Sequence, residues 1–464
     1  MMTKIFPFLA WFRGYRLADL RIDALSGLTV ALVLIPQSMA YAQLAGLPPF
    51  YGLYASFLPP VIAALFGSSR QLATGPVAVV SLMTNAALAP LATAGSASYI
   101  AYAILLALIV GGFQLLLGVL RLGLVINLLS HPVVNGFTNA AAIVIATSQL
   151  PQLLGISVEK EAHHLETVFK VLRLSIHHTH WPTVGLAFLA LLLMAGLKWA
   201  SPKLPNVLIA VSLTSLIAWW TGFEQNRSVP VTQINDAALV RLIHDYNQSV
   251  DQVDESMEKR VVMAESIRAG NFSRDEEELI QANAELAKLQ VSIQLEQQRS
   301  SHLRDRLRAH RIIEVDSDPG DAVYFPLGKD SSELSDDYVV WRLKVGNSKL
   351  DMNALRILAG GEVVGEIPQG LPGFTVPEFQ VSVVLELLPM AVVISLLGFM
   401  EAISIAKAMA AKTGQRLDPN QELIGQGIAN MVGCLGQSYA VSGLSLIHIS
   451  EPTRPLYISY AVFC

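Results

Sequence analysis

"LLGFMEAISIAKAMA", residues 396–410, sets one acidic side chain inside a run that is otherwise apolar or small up to Lys407, and the housing of that carboxylate decides the fold. The flanking text points to a bilayer. From Val381 the chain stays largely apolar for more than the ~20 residues that cross ~30 Å of hydrocarbon. The 464-residue sequence is 52% hydrophobic and only 15% charged, proportions that place it among membrane proteins. A carboxylate at bilayer depth costs about 2.5–3.5 kcal/mol on insertion scales, so Glu401 is a functional candidate rather than a structural one. It can carry a proton or pair with a cation, and Ser404 lies one turn further on.

Further candidate spans run at roughly Ala24–Gly46, Phe50–Gly67, Gly75–Leu91, Ile100–Leu120, Pro132–Leu150, Thr183–Lys198, Leu204–Gly222, Val381–Ala408 and Glu422–Gln437. Several are short or broken by Gly and Pro. Irregular backbone at membrane depth is tolerated where it is buried or lines a cavity, and paired broken segments point to a transport site. The basic residues alternate between connections: Lys4, Arg13, Arg16 and Arg21, then Arg70, Arg121, Lys198 with Lys203, and Lys407, Lys412 with Arg416. By the positive-inside bias residues 1–23 form a basic cytoplasmic segment, and "VEKEAHHLETVFKVLRLSIHHTHWP" lies outside the cytoplasm with residues 224–361. The histidines 177, 178 and 180 are read there as a solvated loop.

Residues 224–361 interrupt the apolar text. From Leu239 the apolar positions Leu242, Tyr246, Val250, Val253 and Met257 recur in steps of three and four, and a second stripe begins near Leu279. Ser273 with Glu276 forms a capping box for the second helix. Two such helices make an antiparallel coiled hairpin ~50 Å long, and "RIIEV" and "YVVWRLKV" add strands to an inserted soluble unit. The Asn247 sequon there is a chance match.

Chemistry inside the spans is sparse. Pro36 stands in mid-span, followed by Gln37 and Tyr41, which carry polar tips to bilayer depth. "QLATGPVAVVSLM", residues 71–83, reads as a helix start, with Thr74 as a capping hydroxyl, Gly75 as a flexible link and Pro76 at the first helical position. Such a start, buried, presents backbone N–H groups and the positive end of a helix dipole to an anion. Cys434 and Cys464 offer no disulfide framework, no zinc spacing exists, and no nucleophile–base pair suggests an enzyme. No cofactor, metal or nucleic-acid partner is implied.

"IPQSMAYAQLAGLPPFYGLYASF", "GSSRQLATGPVAVVSLM", "GFTNAAAIVIATSQL", "GEIPQGLP" and "LLGFMEAISIAKAMA" together resemble the SulP (sulfate permease) anion transporter family, the bacterial relatives of prestin and pendrin. The resemblance implies an all-α polytopic membrane protein with a 7+7 inverted-repeat transporter fold, of which 24–223 would be spans 1–7 and 362–443 spans 8–9 and the start of span 10. It implies a homodimer in the inner (plasma) membrane, alternating access, and a STAS domain that this chain lacks. Gln37, Tyr41, Thr74, Gly75, Val77, Ala78 and Ser404 would bind a small inorganic or carboxylate anion, with Glu401 taking the coupling ion, H+ rather than Na+. A membrane-anchored sensor or adaptor working through the hairpin, and an uncoupled uniporter or channel, are the alternatives.

The text departs from the family at "LSLIHISEPTRPLYISYAVFC", residues 444–464. "LSLIHISEPTR" and "ISYAVFC" back-translate to the two ends of a transposase sequencing adapter, so the segment is expected to be an assembly artefact and the chain a truncated copy without activity.

Overall fold

The computed structural model describes residues 7–10, 15–69, 72–123, 131–156, 158, 164–200, 206–223, 225–268, 276–315, 323–327, 339–361, 367–377, 379–414 and 417–444. In chain order these form α1 (Leu17–Leu44), α2 (Phe50–Ala55), α3 (Leu58–Phe66), β1 (Ala73–Gly75), α4 (Ala78–Leu88), α5 (Ala97–Val119), α6 (His131–Ser148), α7 (Leu150–Leu154), α8 (His164–His178), α9 (Trp181–Ala200) and α10 (Asn206–Trp220). There follow β2 (Asn226–Val229), α11 (Ala237–Arg268), α12 (Glu276–Ala309), β3 (Arg311–Val315), β4 (Val323–Pro326), β5 (Val340–Leu343), β6 (Leu355–Leu358), α13 (Val381–Thr413), α14 (Pro419–Leu435) and β7 (Ser442–Leu444).

Residues 1–146, 191–211 and 364–464 form one compact unit. Among the described residues four helices are long and apolar enough to cross a membrane, within Asp19–Leu44, Ala97–Val119, Trp181–Ala200 and Val381–Lys407. Shorter apolar helices lie within 50–66, 78–88, 142–154 and 209–220. The first unit is held by close packing of α14 against α5 and α3 and of α13 against α5 and α4. Small residues permit that approach. A Cβ on Gly427 would stand 2.6 Å from the Leu115 backbone nitrogen, and one on Gly111 2.7 Å from the Gly427 carbonyl oxygen.

One feature of this unit has no counterpart in the all-α expectation. β1 and β7, some 370 residues apart, form an antiparallel ladder with Ala73 opposite Leu444, Thr74 opposite Gly443 and Gly75 opposite Ser442. Of residues 444–464 only Leu444 is described, so the adapter segment otherwise lies outside the described residues.

The second unit comprises 147–190 and 212–363. α11 and α12 lie alongside each other. The sheet order is β2-β6-β5-β3-β4, all pairs antiparallel. β2, ahead of the hairpin, pairs with β6 beyond it, so both ends of the insert contribute strands to one sheet. Its core is conventional: Leu239, Ile243 and Tyr246 of α11 meet Leu307 of α12 and Ile312, Tyr324, Trp341 and Ile357 of the sheet. Tyr246 donates from its hydroxyl to the Gly346 carbonyl at 2.7 Å, and the Arg308 guanidinium donates to the Val345 carbonyl at 2.6 Å, which pins the turn after β5 to the hairpin base. Burial lowers the Arg304 guanidinium to about 10 at the same place, still charged near neutrality. The Asn247 amide is committed to the Leu350 backbone in both directions, at 2.9 and 2.8 Å. Ser273, half of the expected capping box, lies outside the described residues; α12 begins at Glu276.

The segment expected as an outer loop folds as α8. His180 lies just beyond it, half-buried against Phe223 with ring centroids 5.8 Å apart, its Nδ1 2.8 Å from the Thr183 hydroxyl.

Candidate functional site

Every residue from Thr74 to Ser81 is buried. The local sequence proposes a cap at Thr74, but the structure places the cap three residues later. Val77, in extended conformation at φ −128° and ψ 147°, is the N-cap of α4, and no side chain caps it. The reason is long-range: the β7 ladder holds residues 73–75 extended, which overrides the local capping signal. Thr74 is therefore a strand residue, 2% exposed, and its Oγ1 has no hydrogen-bond partner among the described residues. Pro76 precedes the cap rather than occupying the first turn. The anion-binding logic moves accordingly from the Thr74 hydroxyl to the first turn of α4 at Ala78, whose leading N–H groups have no intrahelical acceptors.

Three elements meet at this helix start. Leu34 of α1 packs beside Gly75, 4.0 Å from where a Cβ would stand. One turn along α1, Gln37 Nε2 donates to the Tyr41 hydroxyl at 2.9 Å, an i,i+4 pair that fixes both polar tips, each half-buried. From α13, Gly398 faces Val80 and Ser442, and Ala402 faces Gly443. The Ser442 hydroxyl donates to the Gly398 carbonyl at 2.6 Å, tying β7 to that turn of α13. Glu401 sits on the same turn. Its Oε2 is buried with no hydrogen-bond partner among the described residues, which is costly for a carboxylate unless a ligand or proton satisfies it. Ser404 is committed elsewhere: its hydroxyl donates to the Met400 carbonyl at 2.7 Å, so in this state its proton is spent within α13.

A second group of buried polar side chains escaped the sequence reading. Ser81, one turn into α4, lies 3.1 Å from the Tyr439 hydroxyl, and both are fully buried. Asn430 of α14 donates to Gln114 of α5 at 3.0 Å and exchanges two bonds with the Val441 backbone, at 3.1 and 2.8 Å. Glu422, 3% exposed, accepts from the Ser68 and Ser69 N–H groups at 2.9 and 3.1 Å and from the Ser68 hydroxyl at 3.1 Å. The signal was present in "NQELIGQGIANMVG": polar residues 422, 426 and 430, each four apart, fall on one face of an apolar helix. These bonds fasten α14 to the loop that leads into β1 and to the strand β7, so the ladder is held from both ends.

The fold and this site define a helical multi-pass membrane protein whose buried polar groups converge on a short strand crossing and a helix start. Residues 20–255 and 347–446 match the profile described as "Sulfate permease family". The chain belongs to the sulfate permease family. It is 29% identical over 446 residues to "Sulfate transporter 4.1, chloroplastic" of Arabidopsis thaliana, covering 95% of this chain and 46% of that one. It is 45% identical over 218 residues to a probable sulfate transporter of Mycobacterium tuberculosis, covering 46% of this chain and 38% of that one. The chain thus spans less than half the length of these relatives. Its fold is similar to that of the murine solute carrier 26 family member A9 anion transporter in the inward-facing state, with a TM-score of 0.58 at 17% identity, over 97% of this chain and 56% of that one.

Proposed function

We propose that the chain is the larger part of the membrane domain of a secondary active transporter that moves small inorganic or carboxylate anions by alternating access. The observation that carries the reading is the buried, uncapped start of α4 at Val77–Ala78, framed by β7, α1 and the Glu401 turn of α13. Backbone N–H groups and a positive helix end suit a negatively charged passenger, and in a water-poor site they act with little screening. Gln37 and Tyr41 supply neutral polar contacts, and Ser404 joins them by turning its hydroxyl away from Met400. The names of the relatives put sulfate first among substrates, with bicarbonate, chloride and C4-dicarboxylates as the other classes. Glu401 is the coupling residue: protonated with the anion bound, deprotonated after release, so that H+ and anion travel together. The protein works as a homodimer with residues 1–23 cytoplasmic and 224–361 outside.

The test is uptake of radiolabelled sulfate, bicarbonate, chloride and succinate by the intact protein in proteoliposomes. Uptake of at least one of these anions that dissipates an imposed pH gradient is expected, and Glu401→Gln is expected to abolish the coupling while leaving anion binding. Sodium-dependent uptake indifferent to pH would overturn the proton assignment. Movement that never concentrates the anion against its gradient would make the protein a uniporter. No uptake, with a partner protein retained by the insert, would make it an adaptor.

A further inference from the structure

Helix α8, His164–His178, carries an apolar stripe that no other part of the described chain covers. Leu165, Phe169, Leu172 and Ile176 are 70%, 71%, 50% and 75% exposed. Their spacing of four, three and four residues places them within about 60° of arc on one helix face. The opposite side is occupied: Val171 is 1% exposed, and Lys170 is ion-paired to Asp305 of α12 at 3.1 Å. The helix is thus two-sided, with one side tied to the insert through Lys170 and the other open.

Its position in the chain says what meets the open side. α8 ends at His178, and α9, one of the four helices long and apolar enough to span a bilayer, begins at Trp181. Trp181 is 75% exposed, and Trp219 and Trp220 close α10 at 80% and 84% exposed. Tryptophans at helix ends mark the membrane–water interface, so the end of α8 meets α9 at that level. Its 15 residues, ~22 Å of helix, are too short to span, and Glu166, Lys170 and Arg173 forbid burial across hydrocarbon.

We propose that α8 lies in the plane of the membrane, with Leu165, Phe169, Leu172 and Ile176 sunk into the headgroup–acyl boundary and the insert carried on its other side. Arg173, at the edge of the stripe, reaches the lipid phosphates, as in other interfacial amphipathic helices. With two helices, α9 and α10, between α8 and the insert, both lie on one side of the bilayer, which the Lys170–Asp305 pair requires. The proposal rests on α9 and α10 as a pair of crossings and not on anion transport.

The experiment places a nitroxide at one site at a time, through Phe169→Cys, Leu172→Cys, Ile176→Cys and Glu166→Cys, in intact protein with Cys434→Ala and any other cysteine replaced. The reconstituted protein, in liposomes of phosphatidylcholine and phosphatidylglycerol, is probed by collision with O2 and with a water-soluble nickel chelate. The ratio of O2 to nickel collision is expected to be several-fold higher at 169, 172 and 176 than at 166. Equal ratios at all four sites would place the stripe in water and overturn the proposal. Low collision with both reagents at 169 and 172 would show a protein cover, a second copy or a partner, and would overturn it equally. Three independent stripe positions keep the test decisive if one variant fails to fold.

Discussion

Where α5 meets α14, the contact is made by Gly111, Gly118 and Gly427, and the buried side chains between are Gln114 and Asn430. Where α11 and α12 meet the insert's sheet, it is made by Tyr246, Leu307, Tyr324 and Trp341, and polar groups are pushed to the turn at 345–348. The same chain therefore uses two kinds of cohesion. In lipid, apolar surface gains nothing by leaving the acyl chains for a protein neighbour, so helices associate by close backbone approach and by polar groups that need partners. In water, burial of large apolar side chains is the main drive, at roughly 25 cal/mol per Å2. The first unit should be fragile to added volume and to lost acceptors, the second to lost volume.

The largest effect is expected from emptying the insert's core. Trp341 is 2% exposed, edge-on to Tyr324 at 6.3 Å, with the Arg227 guanidinium 5.0 Å from its ring. Trp341→Ala should cost about 3–5 kcal/mol. Limited proteolysis should then cut within 224–361 while the detergent-solubilised membrane unit stays monodisperse; an insert as protease-resistant as before would mean that its core lies elsewhere. The converse variant is Gly427→Ala, a single methyl placed 2.6 Å from the Leu115 backbone nitrogen. Overpacking of this kind costs about 1–3 kcal/mol. It should broaden the size-exclusion profile and reduce anion uptake while leaving the insert resistant to protease, and unchanged uptake would show that α5 and α14 can part without consequence.

Next comes the Glu422 clasp. Glu422→Ala takes the acceptor from the half-buried Ser68 and Ser69 N–H groups, while the Ser68 hydroxyl keeps the Asp418 carbonyl at 3.0 Å, a loss of about 1–3 kcal/mol. Thermal unfolding of the purified protein should fall by several degrees, with Glu422→Gln losing less because one oxygen remains. Equal losses in the two variants would mean that the negative charge, rather than the acceptor, holds the loop at Ser68 and Ser69.

What the sequence made legible follows the same division. The insert announced itself because water-soluble helices carry a periodic apolar stripe, and Leu239, Leu242, Tyr246, Val250, Val253 and Met257 are buried as the spacing predicts. Glu401 was legible because a charge in apolar text is conspicuous. The β1–β7 ladder was not, since three-residue strands far apart in the chain leave no local period, and the sequence "ATGP" then offered a cap that the ladder overrides. The Glu422–Gln426–Asn430 face was passed over because a span was judged by its apolar content alone. The histidines at 177, 178 and 180 suggest a solvated loop, although Leu165, Phe169, Leu172 and Ile176 before them have the helical spacing that α8 realises.

The smallest effect tests the insert's polar edge, where water-type rules apply. Asp236 caps α11: its Oδ1 accepts from the Ala238 and Leu239 N–H groups at 2.9 and 3.1 Å, and its Oδ2 lies 2.7 Å from His310 Nε2. Burial pushes its pKa up, but the Leu239 N–H, the His310 side chain and the Ala238 N–H outweigh that and hold the carboxyl below its ordinary 3.8. A depressed folded pKa means that the unfolded chain binds the proton first as pH falls. The contribution is therefore complete above that ordinary value and lost as pH drops through it to the folded one. Asp236→Ala should cost about 1 kcal/mol near neutrality, read as earlier protease cleavage of 224–361 on heating. The difference between variant and parent should shrink toward pH 3. A gap that stayed constant through that window would show that Asp236 acts by packing alone and that its charge adds nothing to the cap.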